Sequence, residues 1–116
     1  MFQIKRIYAR ATAEDGYRVL VDRVWPRGVS RQKAQIDMWM KEIAPSDQLR
    51  KWFGHDPKRW IEFRKRYRAE LKGKAELVRE LRKLENERGT VTLVYSARDE
   101  QNNQAVALRE ILRGSI

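Results

Sequence analysis

Cysteine is missing from this 116-residue chain, and histidine occurs once, at position 55. The first absence excludes disulfides, thiolate nucleophiles, iron-sulfur clusters and cysteine-rich zinc sites. With no second histidine a structural zinc is excluded as well, and neither a metal nor a cofactor is expected. Glycine (six) and proline (three) are scarce, so each place where they occur is informative punctuation. Long apolar runs are also lacking. None approaches the ~20 residues of a membrane helix, and Met1 to Tyr8 reads as a strand without a signal peptide's apolar stretch. The expectation is a soluble cytoplasmic protein with no membrane partner, folded as a single domain over 1–116. Such a chain is long enough to bury about two-thirds of its unfolded surface.

What the chain has in excess is positive charge. Its 26 basic and 16 acidic residues leave a formal +10, which attracts anionic small molecules and polyanions. Residues 57–88 hold 12 Lys/Arg against six Glu, so this one helix-like segment carries six of the ten net charges. Two readings follow. Either Arg59, Arg66 and Lys72 on a basic helix at 58–72 form a nucleic-acid surface, or the segment is a solvated face laced by i,i+4 pairs such as Lys58/Glu62, Glu62/Arg66 and Arg66/Glu70.

The order of elements comes from periodicity. Phe2 to Tyr8 alternates as a half-exposed strand, and Tyr17 to Arg23 has a continuous apolar centre, Val19-Leu20-Val21, expected where both sheet faces are covered. Residues 31–53 predict two short helices separated at Pro45, the second capped by Ser46 and stopped by Gly54. Asp56-Pro57 starts a long helix with the stripe Trp60, Phe63, Tyr67, Leu71, then Leu77, Leu81 and Leu84; at Gly73 it is either bent or split. Thr90 to Ser96 predicts a third strand, and 101–113 a closing amphipathic helix. The fold class is α/β: a small three-layer sandwich with a mostly parallel central sheet flanked by helices.

Two apolar strands joined through helices pair best in parallel and therefore share a carboxyl edge. Asp22, Arg23, Trp25 and Arg27, which follow one strand, should then lie near Ser96, Arg98 and Asp99, which follow the other, and near the start of the last helix. Three arginines with helix-start amides favour a phosphate or carboxylate. In this reading Arg23, Arg27 and Arg98 hold charge, Asp22, Asp99 and Ser96 are the candidates for catalysis in a hydrolase or transferase, Asn103 hydrogen-bonds, and Trp25 forms an apolar wall. Lys41 joins as a loop residue beside Pro45 and Ser46. A purely structural account competes: Asp22 pairs with an arginine, Asp99 caps the last helix and Trp25 packs on Pro26. His55 reads as a surface or capping residue, and Trp39, Trp52 and Trp60 as core at helical spacing.

The blocks Tyr17-Arg-Val-Leu-Val-Asp-Arg-Val-Trp-Pro-Arg-Gly28, Asp37-Met-Trp-Met-Lys-Glu-Ile-Ala-Pro-Ser46, Leu49-Arg-Lys-Trp-Phe-Gly-His-Asp56, Phe63 to Leu71 and Val91 to Leu108 resemble the YeaO-like family, part of a larger domain-of-unknown-function group. The resemblance runs nearly end to end. It implies one compact α/β domain and draws attention to Asp22, Arg23, Trp25, Pro26, Arg27, Lys41, Pro45, Ser46, Tyr95, Ser96 and Asn103, without implying a reaction. Members often read Asn-His-Ala where this chain has Asn103-Gln104-Ala105, so a role that needs an imidazole at that point is closed to this chain.

Overall fold

The computed structural model describes residues 1–114. Four strands, β1 (Phe2–Arg6), β2 (Tyr17–Leu20), β3 (Met38–Trp39) and β4 (Val91–Tyr95), form one sheet in the order β1-β4-β2-β3. Every neighbouring pair is parallel, with Val19 opposite Leu93 and Leu20 opposite Val94 in the central pair. The continuous apolar runs have the cause expected of them. Val19, Val21, Val91, Leu93 and Tyr95 face a large core, while Leu20 and Val94 face a smaller one with Ile7 and Ala34. Each such side chain, fully removed from water, contributes about 1.5–3 kcal/mol.

The two faces are covered unequally. Helices α2 (Asp47–Phe53), α3 (Trp60–Lys72), α4 (Ala75–Arg88) and α5 (Gln104–Leu112) supply the large core. The opposite face has only the four-residue α1 (Arg31–Ala34) and the segment carrying Trp25, Val29, Ile36 and Trp39. A buried ion cluster ties this thin layer down. Asp15 accepts from Lys5 Nζ at 2.7 Å and from Arg18 Nη1 at 2.6 Å, and Arg18 donates to the carbonyls of Ala34 and Gln35 at 2.9 and 3.1 Å.

Several boundaries differ from those predicted. β2 ends at Leu20, with one further rung from Val21 N to Val94 O at 2.9 Å, so Asp22 and Arg23 lie beyond the strand. Between 31 and 53 the chain forms α1, β3, a 3₁₀ turn at Lys41–Ile43 and α2 instead of two helices. The strand went unrecognised because two residues are too few to show a period, and only Asp37 N and Met40 N bonding to Arg18 O and Leu20 O create it. The Ser46 cap is present and accepts from Leu49 N at 3.1 Å; Gly54, at φ 52°, closes α2. Pro57 occupies the first position of a 3₁₀ turn (Pro57–Arg59) leading into α3, and at Gly73 the long stripe divides into α3 and α4. The last helix starts at Gln104, with Asn103 as its N-cap accepting from Val106 N at 3.1 Å. The cap foreseen for Asp99 therefore belongs to Asn103. Asp99 closes the preceding turn instead.

Candidate functional site

Because β2 and β4 are parallel neighbours, the segments after Val21 and Tyr95 emerge side by side, although Asp22 and Ser96 are 74 residues apart. Ser96 Oγ donates to Asp22 Oδ2 at 2.5 Å, and Gln104 Nε2, in the first turn of α5, donates to Asp22 Oδ1 at 2.6 Å. The Asp22 main-chain carbonyl accepts from the Trp39 indole at 2.7 Å. Asp22 is 8% exposed. Burial pushes its carboxyl above the ordinary aspartate range, and the hydrogen bonds from Ser96 and Gln104, with the charge of His55, offset part of that rise.

Above this carboxylate opens a cleft of about 600 Å³. Its polar lining includes Asp22, Arg23, Arg50, His55, Ser96, Arg98, Asp99, Asn103 and Gln104, against an apolar wall of Val24, Ala44, Pro45, Phe53, Phe63 and Ala97. The arginines are not equivalent. Arg23 is half-buried and donates to Pro45 O and Ala44 O, both at 3.1 Å, so it secures the 44–45 segment as much as it charges the cleft. Lys74 Nζ reaches the same Ala44 carbonyl at 3.0 Å, Tyr67 Oη donates to Ile43 O at 2.7 Å, and Glu70 accepts from Ser46 N and Oγ at 2.9 and 2.6 Å. That wall is rigid. Arg50 is exposed, with one hydrogen bond of 3.3 Å to Asp47, and Arg98 is exposed with no carboxylate partner among the described residues.

Asp99 lies in the cleft but is committed to its own turn. Its carboxylate accepts from Gln101 N, Asn102 N and Asn102 Nδ2 at 2.9, 3.0 and 3.0 Å. The Asn102 side chain and the two amides hold it below the usual carboxylate range, which makes it a weak base. Asn103, almost fully buried, spends its side-chain oxygen on the helix cap and its Nδ2 on Asp99 O at 2.9 Å. Among the described residues, no three His, Asp or Glu side chains gather as ligands for a metal ion.

Three of the sequence candidates lie outside the cleft lining. Trp25 turns to the thin face of the sheet, edge-on to Trp39 at 5.6 Å, with its indole donating to Val29 O at 2.8 Å. Arg27 is exposed in the following turn, where its carbonyl accepts from Tyr8 Oη at 3.4 Å. Lys41 is exposed with its ammonium 5.2 Å from the Trp39 ring centroid. Trp25 leaves the cleft because the chain beyond Val24 turns to the side that α1 leaves sparsely covered, and Lys41 follows β3 beside Trp39 on that side.

Conversely, Arg50, His55 and Gln104 were not legible as site residues. Arg50 and Phe53 share a face of α2 at i,i+3, a spacing visible in sequence, but nothing local says that the face borders β4. The basic segment begins before α3: Arg59 closes the 3₁₀ turn and Arg66 lies on α3, their guanidiniums 5.1 and 4.2 Å from the Trp52 ring centroid, and each meets an acid, Asp56 at 3.8 Å and Glu62 at 3.0 Å. Lys72 is exposed at the end of α3 beside a second depression of about 380 Å³.

A family model described as "Inactive DUF488-N3 subclade" matches residues 1–116. The protein named Uncharacterized protein YeaO in Escherichia coli K12 is 42% identical over 113 residues, covering 96% of each chain. The chain belongs to this YeaO-like family. Uncharacterised proteins of Mycobacterium tuberculosis and Mycobacterium bovis are 41% identical over 112 residues, which is 97% of this chain and 93% of theirs. No solved structure matches. Membership in the family thus extends over the whole cleft, from Asp22 to Gln104. No helix among the described residues is long and apolar enough to cross a membrane.

Proposed function

We propose that this YeaO-like protein binds an anionic small molecule in the cleft at the carboxyl ends of β2 and β4. The observation that carries the reading is Arg98: an exposed guanidinium without a carboxylate partner among the described residues, on the same cleft as Arg23, Arg50 and His55 and beside the amino end of α5. Guanidinium groups recognise oxyanions through two parallel hydrogen bonds, and helix-start amides add to the attraction. The apolar wall of Phe53, Phe63 and Pro45 gives the ligand's uncharged part a surface to lie on. Binding without turnover is the version best supported. The family carries the description inactive, Asp99 and Asn103 are occupied by local structure, and the position opposite Asp22 on α5 holds an amide that cannot shuttle protons.

The test is thermal shift and calorimetric titration of the intact protein with a panel of phosphates and carboxylates at low salt. Arg98→Ala and Arg50→Ala should each weaken binding by about tenfold or more, as expected for loss of a charge-assisted hydrogen bond, while Arg27→Ala leaves it unchanged. Equal affinity in Arg98→Ala and wild type refutes the assignment. The nucleic-acid reading of the basic segment 58–72 has less support, since Arg59 and Arg66 are matched by Asp56 and Glu62.

A further inference from the structure

An anion site built only to attract charge has no use for a buried carboxylate, yet Asp22 forms part of this cleft. Its carboxylate accepts from Ser96 Oγ, from the Ser96 backbone amide and from Gln104 Nε2 on α5, and of the four lone pairs on its two oxygens one remains to offer. The cationic groups sharing the cleft are Arg23, Arg50 and Arg98, with the titratable His55 beside them and Asp99 turned onto its own loop. A fully ionised anion held by Arg98 and Arg50 in this confined space meets Asp22 as a like charge, which is unfavourable. A proton between the two removes the conflict and converts repulsion into a short charge-assisted hydrogen bond. Some oxyanions carry that proton themselves. A phosphate monoester has its second pKa near 6, so its acid form is abundant close to neutral pH, whereas sulfate and simple carboxylates are fully ionised there.

Resting on the anion-binding reading above, we infer that the cleft selects a protonated oxyanion, an acid phosphate or phosphate monoester, over sulfate and carboxylate, with Asp22 accepting the ligand's proton in a hydrogen bond. The selection works by exclusion. An anion without a proton must draw one from solvent onto Asp22, and above that group's pKa this uptake weakens binding progressively with pH. No bond is made or broken in the step; one proton is shared between two oxygens.

The experiment titrates the intact protein with phenyl phosphate, inorganic phosphate and sulfate at matched ionic strength and about pH 6, close to the second phosphate pKa. Wild type should bind the phosphates about ten- to a hundredfold more tightly than sulfate, the range spanned by one hydrogen bond to a charged group. Asp22→Asn, whose neutral amide neither repels the anion nor requires its proton, should bring sulfate to within about threefold of phosphate, chiefly by strengthening sulfate. A wild-type measurement stands beside the variant: sulfate binding should take up about one proton, read as a dependence of the heat on buffer ionisation enthalpy, and should strengthen as pH falls. Equal wild-type affinities for phosphate and sulfate, or an unchanged ratio in Asp22→Asn, overturn the selectivity while leaving the anion site intact. Failure of every anion to bind at low salt overturns the site and the selectivity together.

Discussion

Gly16 offers the sharpest test of how the cleft is assembled, because it stands where β2 is first tied to β4. Its backbone, at φ 64° and ψ −135°, lies in a region that only glycine occupies cheaply. A methyl group there would overlap the Thr90 carbonyl oxygen and come within 2.9 Å of Thr90 Cβ. That same carbonyl accepts from Tyr17 N at 3.0 Å, the first rung joining the two strands. Gly16→Ala therefore carries two costs: backbone strain of about 1–3 kcal/mol, and, if Thr90 retreats to relieve the overlap, an unmade buried hydrogen bond of about 1–3 kcal/mol. A total of about 2–6 kcal/mol is a large share of the 5–15 kcal/mol typical of a domain. For a chain of this length it should lower the melting temperature by roughly 8–24 °C. Urea denaturation followed by tryptophan fluorescence measures it, with Gly28→Ala as the control. Gly28 also has a positive φ, 72°, but nothing lies within 4 Å of its would-be Cβ, so only the conformational cost of about 1–2 kcal/mol applies. If the two variants differ by less than about 1 kcal/mol, the close approach at Thr90 is not what demands glycine.

Tyr67→Phe removes the hydroxyl that donates to Ile43 O at 2.7 Å in a fully buried setting, so it should cost about 1–3 kcal/mol in urea denaturation and loosen the 43–46 wall of the cleft. Asp22→Asn should change stability with pH in a defined direction. Burial, the main cause, raises the Asp22 carboxyl in the folded state, so its neutral form favours folding and that contribution is lost as pH rises through the folded pKa. The variant stays neutral, and its melting temperature relative to wild type should climb from acid toward neutral pH; a flat difference would refute the burial argument.

Much of the fold was readable from local chemistry. Val19-Leu20-Val21 and Leu93-Val94-Tyr95 identified two strands covered on both faces, because a run without alternation has no solvent side to serve. Ser46, Gly54 and Pro57 marked helix boundaries by satisfying or lacking particular backbone groups. The pairing of residue 22 with residue 96 followed from the preference of helix-separated strands for parallel neighbours. β3 was out of reach, since two residues have no period and their pairing with Val19 and Leu20 is supplied by the rest of the sheet.

Which polar side chains face one another lay beyond the sequence for the same reason. Arg23, Arg27 and Lys41 are equivalent as residue types near a turn, yet Arg23 stays in the cleft, Arg27 is exposed in the next turn beside Tyr8, and Lys41 lies against Trp39. Arg50, His55 and Gln104 come from three separate segments, and only the docking of α2 and α5 at the β4 edge brings them to Asp22. Three of the four strands, the parallel sense of the central pair and the carboxyl edge where Asp22 and Ser96 meet were legible in the residues alone, because burial and hydrogen bonding constrain each strand locally. That Asp22 is buried between Ser96 and Gln104, on a cleft shared with Arg98, which meets no carboxylate among the described residues, came from the packing of separate elements, because the placement of a side chain across a cleft depends on contacts that no short stretch of sequence encodes.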